Sequence, residues 1–187
     1  TQDVIVNDNE DPTITCPADV TVDADAGLCT AAPALGSPTT ADNCSVASVS
    51  NDAPATFPLG TTTVTWTVTD GSGNTATCTQ DVTVNDNEDP TITCPADVTV
   101  DADAGLCTAA PALGSPTTAD NCSVASVTND APATFPIGTT TVTWTVTDGS
   151  GNTATCTQDV TVLDNEDPTS TCPADVTVDA DAGLCTA

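Results

Sequence analysis

The sequence predicts an all-β protein made of tandem antiparallel β-sandwiches joined by short acidic linkers. The clearest strand pattern runs over 63–69, where Val64, Trp66 and Val68 alternate with threonines, as in a strand with one buried face. Turn-forming residues interrupt such patterns roughly every 8–12 residues, a spacing typical of β-sandwiches. No segment shows the apolar period of a helix.

A repeat of 78 residues organises the chain. The string TQDVTVNDNEDPTITC at 79–94 recurs with small changes at 1–16 and 157–172, and 78 residues suit an independently folding domain better than a solenoid coil. Residues 12–89 differ from 90–167 only at Ser50/Thr128, Leu59/Ile137 and Asn85/Leu163. We expect the chain to be part of a longer array of repeats. Its whole repeats are expected at 12–84 and 90–162, with linkers at 85–89 and 163–167. Residues 1–6 are expected to be the closing strand of a preceding repeat, and 168–187 the opening strands of a further repeat.

The first whole repeat predicts six or seven short strands. Strands are expected at 13–17, 19–22, from 28 onward, 46–49, 63–69 and 75–84, with turns at 23–27, 51–54 and 70–74, a corner at 57–60 and a loop at 40–44. Pro33 and Pro38 interrupt the region that begins at residue 28, which confines it to a sheet edge or divides it.

The charge balance excludes several classes of partner. The chain carries 27 acidic residues, no Lys, Arg or His, and a formal net charge of −27. Binding of nucleic acid needs cationic side chains that neutralise phosphates, and docking on anionic membranes needs them as well. No apolar run is long enough to cross a bilayer, so we expect no membrane insertion. Self-repulsion at this charge favours bound cations.

Ten cysteines fall at equivalent positions, four in each whole repeat. An even number of cysteines in a small domain indicates structural disulfides and an oxidising, extracellular setting, secreted or cell-surface. Spacing alone leaves three pairings open within a repeat. Catalysis is not expected, because a chain without His, Lys, Arg or Tyr and with its cysteines in disulfides offers only carboxylates for acid–base chemistry.

The sequence resembles the HYR (hyalin repeat) family. The resemblance is carried by CP…D…G, P…ADN, FPLG, TTTVTWTVTD and SGNTATC before a closing strand, and it spans the whole repeat. It implies an immunoglobulin-like sandwich found in tandem in extracellular adhesive and structural proteins, and the second cysteine pair resembles a variant in secreted bacterial members. The connectors also resemble the calcium-binding linkers between cadherin repeats, which are rich in Asp and Asn before a Pro.

The sandwich topology that this resemblance implies suggests a disulfide pairing. Cys16 on the first strand would bond Cys78 on the last, and Cys29 would close a local loop with Cys44. The equivalent bonds in the second repeat are Cys94–Cys156 and Cys107–Cys122. The partners of Cys172 and Cys185 stay open.

The same topology predicts a calcium site at each joint between repeats. In such a sandwich the first turn lies where the chain leaves the domain and the turn before the closing strand lies where it enters, so acids of two domains converge on the connector. Calcium takes six to eight oxygen ligands, and no cationic side chain competes for them. The candidate ligands are Asp8, Asn9, Glu10, Asp11, Asp23, Asp25, Asp42, Asp70, Asn74, Asp86, Asn87, Glu88, Asp89, Asp101, Asp103, Asp120, Asp148, Asn152, Asp164, Asn165, Glu166 and Asp167.

Two alternatives stay open at this point. The acidic connectors could be solvated, with the Asp-rich turns serving only as turns. The protein as a whole is interpreted as an extracellular structural fibre or stalk, stiffened by Ca²⁺ and assembled with copies of itself, possibly in filaments; the alternative is a cell-surface adhesin whose repeats bind a protein or glycan partner. The outward threonines are interpreted as ordinary sheet surface.

Overall fold

The computed structural model describes residues 1–186, which form two β-sandwiches with the same order of strands. The first contains β1 (Thr13–Thr15), β2 (Val20–Asp23), β3 (Thr30–Ala31), β4 (Thr39–Ala41), β5 (Val46–Asn51), β6 (Phe57–Pro58), β7 (Gly60–Asp70) and β8 (Thr75–Asn85). The second contains β9 (Thr91–Thr93), β10 (Val98–Asp101), β11 (Thr108–Ala109), β12 (Thr117–Ala119), β13 (Val124–Asn129), β14 (Phe135–Pro136), β15 (Gly138–Asp148) and β16 (Thr153–Leu163). The predicted all-β tandem architecture is therefore confirmed.

Each sandwich packs one larger sheet against two short strand pairs. The larger sheet has the order β2-β8-β7-β5, and the opposite layer consists of β1 with β4 and β3 with β6. Val64 and Trp66 of β7 point into the space between the layers, where they meet Phe57 from the other side. The alternation of the sequence over β7 thus becomes one buried valine–tryptophan face and one threonine face.

The first strand region divides between the two layers. β1 pairs antiparallel with β4, whereas β2 pairs parallel with β8. The expectation of a purely antiparallel sandwich is wrong for this pair, and the expectation of a loop from residue 40 is wrong because Thr39–Ala41 is the partner strand of β1. The chain crosses between layers just after Cys16, at Pro17, which has no N–H to donate to a strand ladder.

Disulfides hold this crossing against the closing strand. Cys16 is bonded to Cys78, 62 residues later, with the two Cα atoms 5.8 Å apart. The second repeat contains the same bond between Cys94 and Cys156. Both predicted pairings are confirmed. Each bond links the segment between two layers to the strand at the centre of the larger sheet.

A buried glutamine, which the sequence analysis did not identify, supports the same crossing. The side chain of Gln80 is fully buried; its Oε1 accepts a hydrogen bond from Trp66 Nε1 at 3.1 Å. Its Nε2 donates to the carbonyl oxygens of Ala18 at 2.6 Å and Leu35 at 3.0 Å. Gln158 makes the same contacts in the second repeat. One amide therefore satisfies three polar groups, among them the buried indole N–H of Trp66.

The ends of the chain carry no strands among the residues that the structure describes. We predicted strands at 1–6 and within 168–187, and residues 1–12 and 164–186 contain none; residue 187 lies outside the described part. The equivalents of these segments in whole repeats pair with β4, β7 and β8 or their counterparts. The ends lack those partners within this chain. No helix in residues 1–186 is long and apolar enough to cross a membrane.

We predict that Gln80→Ala lowers the free energy of unfolding of the first repeat by about 3 kcal/mol, since the buried indole N–H of Trp66 and two partly buried carbonyl groups each lose a partner. Urea unfolding followed by tryptophan fluorescence should show the first repeat melting early and the second, with Gln158 intact, melting as before. Thr63→Ala, which removes an exposed hydrogen bond to Asp81, serves as the control and should change little. Equal melting of both repeats in Gln80→Ala would contradict the assigned role.

Candidate metal site at the joint between repeats

The connector 85–89 is attached to the first repeat through the turn that follows β2. The Nδ2 of Asn87 donates a hydrogen bond to Asp23 Oδ1 at 2.6 Å, and the backbone N–H of Gly27 donates to Glu88 Oε2 at 2.9 Å. The backbone adds one more bond, from Ala24 N–H to the carbonyl oxygen of Asn85. This turn therefore lies beside the connector, as the sequence analysis expected for the first turn of the sandwich.

The second repeat holds the same connector through the turn between β15 and β16. The Nδ2 of Asn152 lies 3.1 Å from the carbonyl oxygen of Asp86 and 3.2 Å from that of Glu88. The Oγ of Ser150 donates to Asp86 Oδ2 at 3.3 Å. A turn read from sequence as a hairpin turn is thus also a clamp on the connector.

Asp148 shapes this clamp from inside the turn. Its Oδ1 accepts backbone hydrogen bonds from Ser150, Gly151 and Asn152, at 2.6–2.9 Å. Gly151 has a φ of 98°, a left-handed conformation that suits glycine and lets consecutive N–H groups converge on one oxygen. The other carboxylate oxygen accepts from Asn152 Nδ2 at 2.7 Å. Asp148 therefore orients Asn152 toward the connector.

These hydrogen bonds also determine the charge state of the buried Asp148. Burial, the largest single influence, opposes ionisation, but the bonds from the side chain and backbone of Asn152 and from the backbone of Gly151 and Ser150 outweigh it. The pKa of Asp148 consequently lies below its ordinary value of 3.8, and the same balance lowers the pKa of Asp70 in the first repeat. Both side chains are carboxylates at neutral pH.

A pair of carboxylates lies at the centre of the joint. Oxygen atoms of Asp86, on the connector, and Asp120, on the loop after β12, lie within 4.8 Å of one another and of the Cys122 sulfur. Asp86 is only 7% exposed. The Oδ1 atoms of Asp120 and of the neighbouring Asn121 are buried and accept no hydrogen bond from the described residues. Two carboxylates, one of them with an unpaired oxygen, therefore lie close together beside the unpaired amide oxygen of Asn121, in a chain that supplies no cationic side chain.

The donor set fits a hard divalent cation. Carboxylate and amide oxygens are the ligands that calcium prefers, and a cation there would both pair the buried oxygens and reduce the repulsion between carboxylates. The Cys122 sulfur is in a disulfide and is not a thiolate, so the site has no soft ligand that would favour zinc.

The connector before the first repeat has a matching group. Asp8, Asp42 and Asp70 present oxygens within 4.8 Å of one another, and Asp8 Oδ2 and Asp42 Oδ1 are buried without a hydrogen-bond partner among residues 1–186. Asn74 contacts the carbonyl oxygens of Asp8 and Glu10 as Asn152 does in the next copy. The pairing of a connector aspartate with the aspartate after the fourth strand, Asp8 with Asp42 and Asp86 with Asp120, therefore recurs in both copies.

The cysteine near this site corrects the predicted pairing. Cys29 is bonded to Cys122 of the second repeat, with Cα atoms 5.0 Å apart, so the predicted bonds Cys29–Cys44 and Cys107–Cys122 are both wrong. The reason is their location. Cys29 follows the turn that contacts the connector leaving its repeat, whereas Cys44 lies beside Asn43, whose side chain contacts the connector that enters it. Cys44 and Cys107 are free and exposed.

The structure distributes the predicted ligands unevenly. One set of predicted ligands belongs to segments that meet at the complete joint: Asp23, Asp86, Asn87, Glu88, Asp120, Asp148 and Asn152. A second set forms the matching half on the first connector: Asp8, Glu10, Asp42, Asp70 and Asn74. On the last connector, Asn165 contacts Asp101, Glu166 contacts Gly105, and Asp164 accepts a bond from the Glu166 backbone. The remaining predicted ligands are exposed and make no side-chain hydrogen bond to another described residue: Asn9, Asp11, Asp25, Asp89, Asp103 and Asp167.

Sequence reasoning missed Asn121. Its Nδ2 donates to the Leu28 carbonyl oxygen of the first repeat at 3.1 Å and lies 3.4 Å from Asp86 Oδ1, while its own Oδ1 stays unpaired. The signal was present in the tripeptide Asp-Asn-Cys, where an amide stands between an acid at the joint and a cysteine that crosses it.

We predict that acid weakens the clamp. Because the folded pKa of Asp148 and Asp70 is below 3.8, their ionised form contributes stability that is present above that pH and is lost as the pH falls through the lower folded value. Calorimetry should show the melting temperature falling below about pH 4, and falling less steeply in Asp70→Asn/Asp148→Asn. Asp3→Asn/Asp175→Asn, which removes the same charge from two exposed residues, should keep the wild-type slope. Equal slopes in all three proteins would refute this origin.

Comparison with known families gives one match that covers most of the chain. The profile described as HYR domain matches residues 7–84 and 85–162. The two matched stretches each contain one sandwich with the connector that precedes it.

Among solved structures, similar chains are cadherin ectodomains. Protocadherin Gamma B7 extracellular domains 1–4 is 12% identical with a TM-score of 0.40, covering 84% of this chain and 52% of that chain. Drosophila N-cadherin EC1-4 is 9% identical with a TM-score of 0.42, covering 83% and 50%. Human mucin-like protocadherin EC1-2 is 11% identical with a TM-score of 0.41, covering 82% and 98%. This chain spans about half the length of the first two.

Proposed function

This chain belongs to the HYR domain family, and we propose that it is part of an extracellular stalk or fibre whose joints are stiffened by calcium. Its disulfides support an oxidising, extracellular location. The observation that carries the proposal is the pair of unpaired, buried oxygens on Asp120 and Asn121 beside the buried carboxylate of Asp86.

Calcium would be held by groups from the connector and from the second repeat. Asp86 belongs to the connector, and Asp120 and Asn121 belong to the loop after β12. When bound, the ion supplies the positive charge that this chain lacks. A cation held by both segments would penalise any hinge motion that separates them, because separation would return two charged ligands to an unpaired state.

The remaining contacts convert a local ion site into a stiff joint. Asn87 and Glu88 attach the connector to the first repeat, and Asn152 attaches it to the second. A cation at Asp86 would therefore act on a segment already fastened at both ends. Stiffer joints keep the repeats of a tandem array aligned over a greater length.

We predict that millimolar Ca²⁺ makes the chain longer and more rod-like. Small-angle scattering of the full chain should give a larger maximum dimension in Ca²⁺ than in excess chelator, and Ca²⁺ should raise its melting temperature by mass action. Extracellular calcium modules bind with dissociation constants of about 10⁻⁴–10⁻³ M, which sets the titration range. Identical scattering and melting in both conditions would indicate solvated connectors and end the calcium proposal.

A matched pair of variants tests the ligands. Asp86→Asn/Asp120→Asn removes two carboxylates from the complete joint and should weaken calcium binding there at least about tenfold. Asp175→Asn/Asp179→Asn removes the same charge from exposed residues away from the joints and should bind as the wild type does. Equal affinities of the two variants would show that calcium binds through general acidity.

Lateral association of copies is supported by one feature of the sheet edge. β5 is an edge strand of the larger sheet, carries no charged side chain, and exposes Val46 and Val49 at 37% and 41%. β13 repeats this edge in the second sandwich. Uncharged, exposed edge strands are templates for strand pairing between molecules. We propose a second copy as the occupant of this edge; in the adhesin alternative the same edge would receive a different protein.

We predict that Val49→Lys/Val127→Lys abolishes any concentration-dependent association, since charges on an edge strand oppose pairing. Analytical ultracentrifugation from micromolar to millimolar protein should show association of the wild type and its loss in the variant. Thr65→Lys/Thr143→Lys places the same charges on the threonine face of the central strands and should still associate. If the wild type stays monomeric over this concentration range, the filament proposal is wrong, and the edge strand would then be available to a different protein.

A further inference from the structure

We propose that the Cys29–Cys122 bond is one copy of a cross-link that recurs at every joint, so that neighbouring repeats are connected by two separate covalent paths. One path is the connector 85–89. The other is the disulfide, which spans 93 residues of sequence. This inference concerns the covalent architecture and does not depend on calcium or on the fibre.

The three disulfides together give the chain a ladder-like connectivity. Cys16–Cys78 closes the first repeat, Cys94–Cys156 closes the second, and Cys29–Cys122 links them. A break in the connector leaves the path through Cys29–Cys122. A break elsewhere between Cys16 and Cys156 leaves a path through a bond within a repeat. No single backbone scission in this range therefore separates the two ends of the chain.

The free Cys107 occupies the same local structure as the bonded Cys29. The N–H of Gly105 donates to Glu166 Oε2 at 2.8 Å, as Gly27 donates to Glu88 at 2.9 Å. Ala102 N–H bonds the Leu163 carbonyl oxygen at 2.8 Å, as Ala24 bonds that of Asn85 at 2.7 Å. The half of the joint that presents this cysteine is thus formed before any following repeat is present.

The free Cys44 likewise matches the bonded Cys122. Asp42 Oδ2 accepts the backbone N–H groups of Cys44 and Ser45 at 3.0 and 2.7 Å, and Asp120 Oδ2 accepts those of Cys122 and Ser123 at 2.9 and 2.8 Å. The backbone around each free cysteine therefore makes the hydrogen bonds found around its bonded counterpart. What distinguishes the free cysteines is exposure, because each lacks the neighbouring repeat. The partner that fits each one is another repeat of this kind.

The chemistry of each cross-link is an ordinary thiol oxidation. Two thiols lose two protons and two electrons as the S–S bond forms, and the electrons pass to a disulfide oxidant, which is released as two thiols. The connection needs no further group. It keeps the two repeats joined after cleavage of the connector, which would separate a chain joined by its backbone alone.

The connectors themselves provide the test. The only Asp–Pro bonds of the chain are at 11–12, 89–90 and 167–168, and mild acid cleaves such bonds selectively. We expect fragments 12–89 and 90–167 of the wild type to remain one species by mass spectrometry until a reductant is added, with or without chelator beforehand. Cys29→Ser/Cys122→Ser should release both fragments without reductant. Separation of the unreduced wild-type fragments would overturn the second path.

Alkylation before cleavage gives a readout that does not depend on the variant folding. In the unreduced wild type the reagent should label Cys44 and Cys107 and leave Cys29 and Cys122 unlabelled. In a chain lengthened by a second copy of 90–167 after residue 167, refolded with oxidised glutathione, Cys107 should lose its label while Cys44 keeps it. Continued labelling of Cys107 in that chain would refute the recurrence of the cross-link.

Discussion

The joint depends on two carboxylates that the chain holds together although they repel. Asp86 and Asp120 come from different segments, lie within 4.8 Å, and have no Lys, Arg or His anywhere in the sequence to pair with. Left to electrostatics alone, the segments would separate. The clamp by Asn152 and the Cys29–Cys122 bond oppose that separation, and a bound cation would remove its cause. The geometry of the joint is thus the outcome of restraints acting against charge.

The sandwiches themselves are under a different constraint, which is their small core. Each has one tryptophan and one phenylalanine, and the rest of its buried cluster is mainly valine and alanine. Apolar burial of this extent stabilises a fold of this size only marginally, so specific links matter more than usual. Gln80 and the Cys16–Cys78 bond both fasten the segment that crosses between layers. The turn that attaches the connector to the first repeat follows β2, and the connector itself follows β8, so both depend on strands that these links hold.

Sequence reasoning succeeded where a pattern is local and failed where it is shared between copies. Alternation over 63–69 predicted the valine–tryptophan face of β7, and the ends of the sandwich predicted that Asp23 and Asn152 meet the connector. The pairing of Cys29 could not be obtained in this way. Cys44 and Cys122 are copies in identical surroundings, so the sequence alone does not distinguish a bond within a repeat from one between repeats. The choice follows from the positions of Cys29 and Cys44, which lie at opposite ends of the same sandwich.

The same near-identity has a geometric consequence. Of the positions that differ between the repeats, only Asn85 and Leu163 belong to a connector, and both use a backbone carbonyl there, which any residue provides. Equivalent joints built from equivalent contacts impose the same rotation and translation from each repeat to the next. An uncharged edge such as β5 then recurs at a fixed angle along the array. A regular spacing of identical edges is what side-by-side pairing of two such arrays requires, and joints with two covalent connections would preserve it under load.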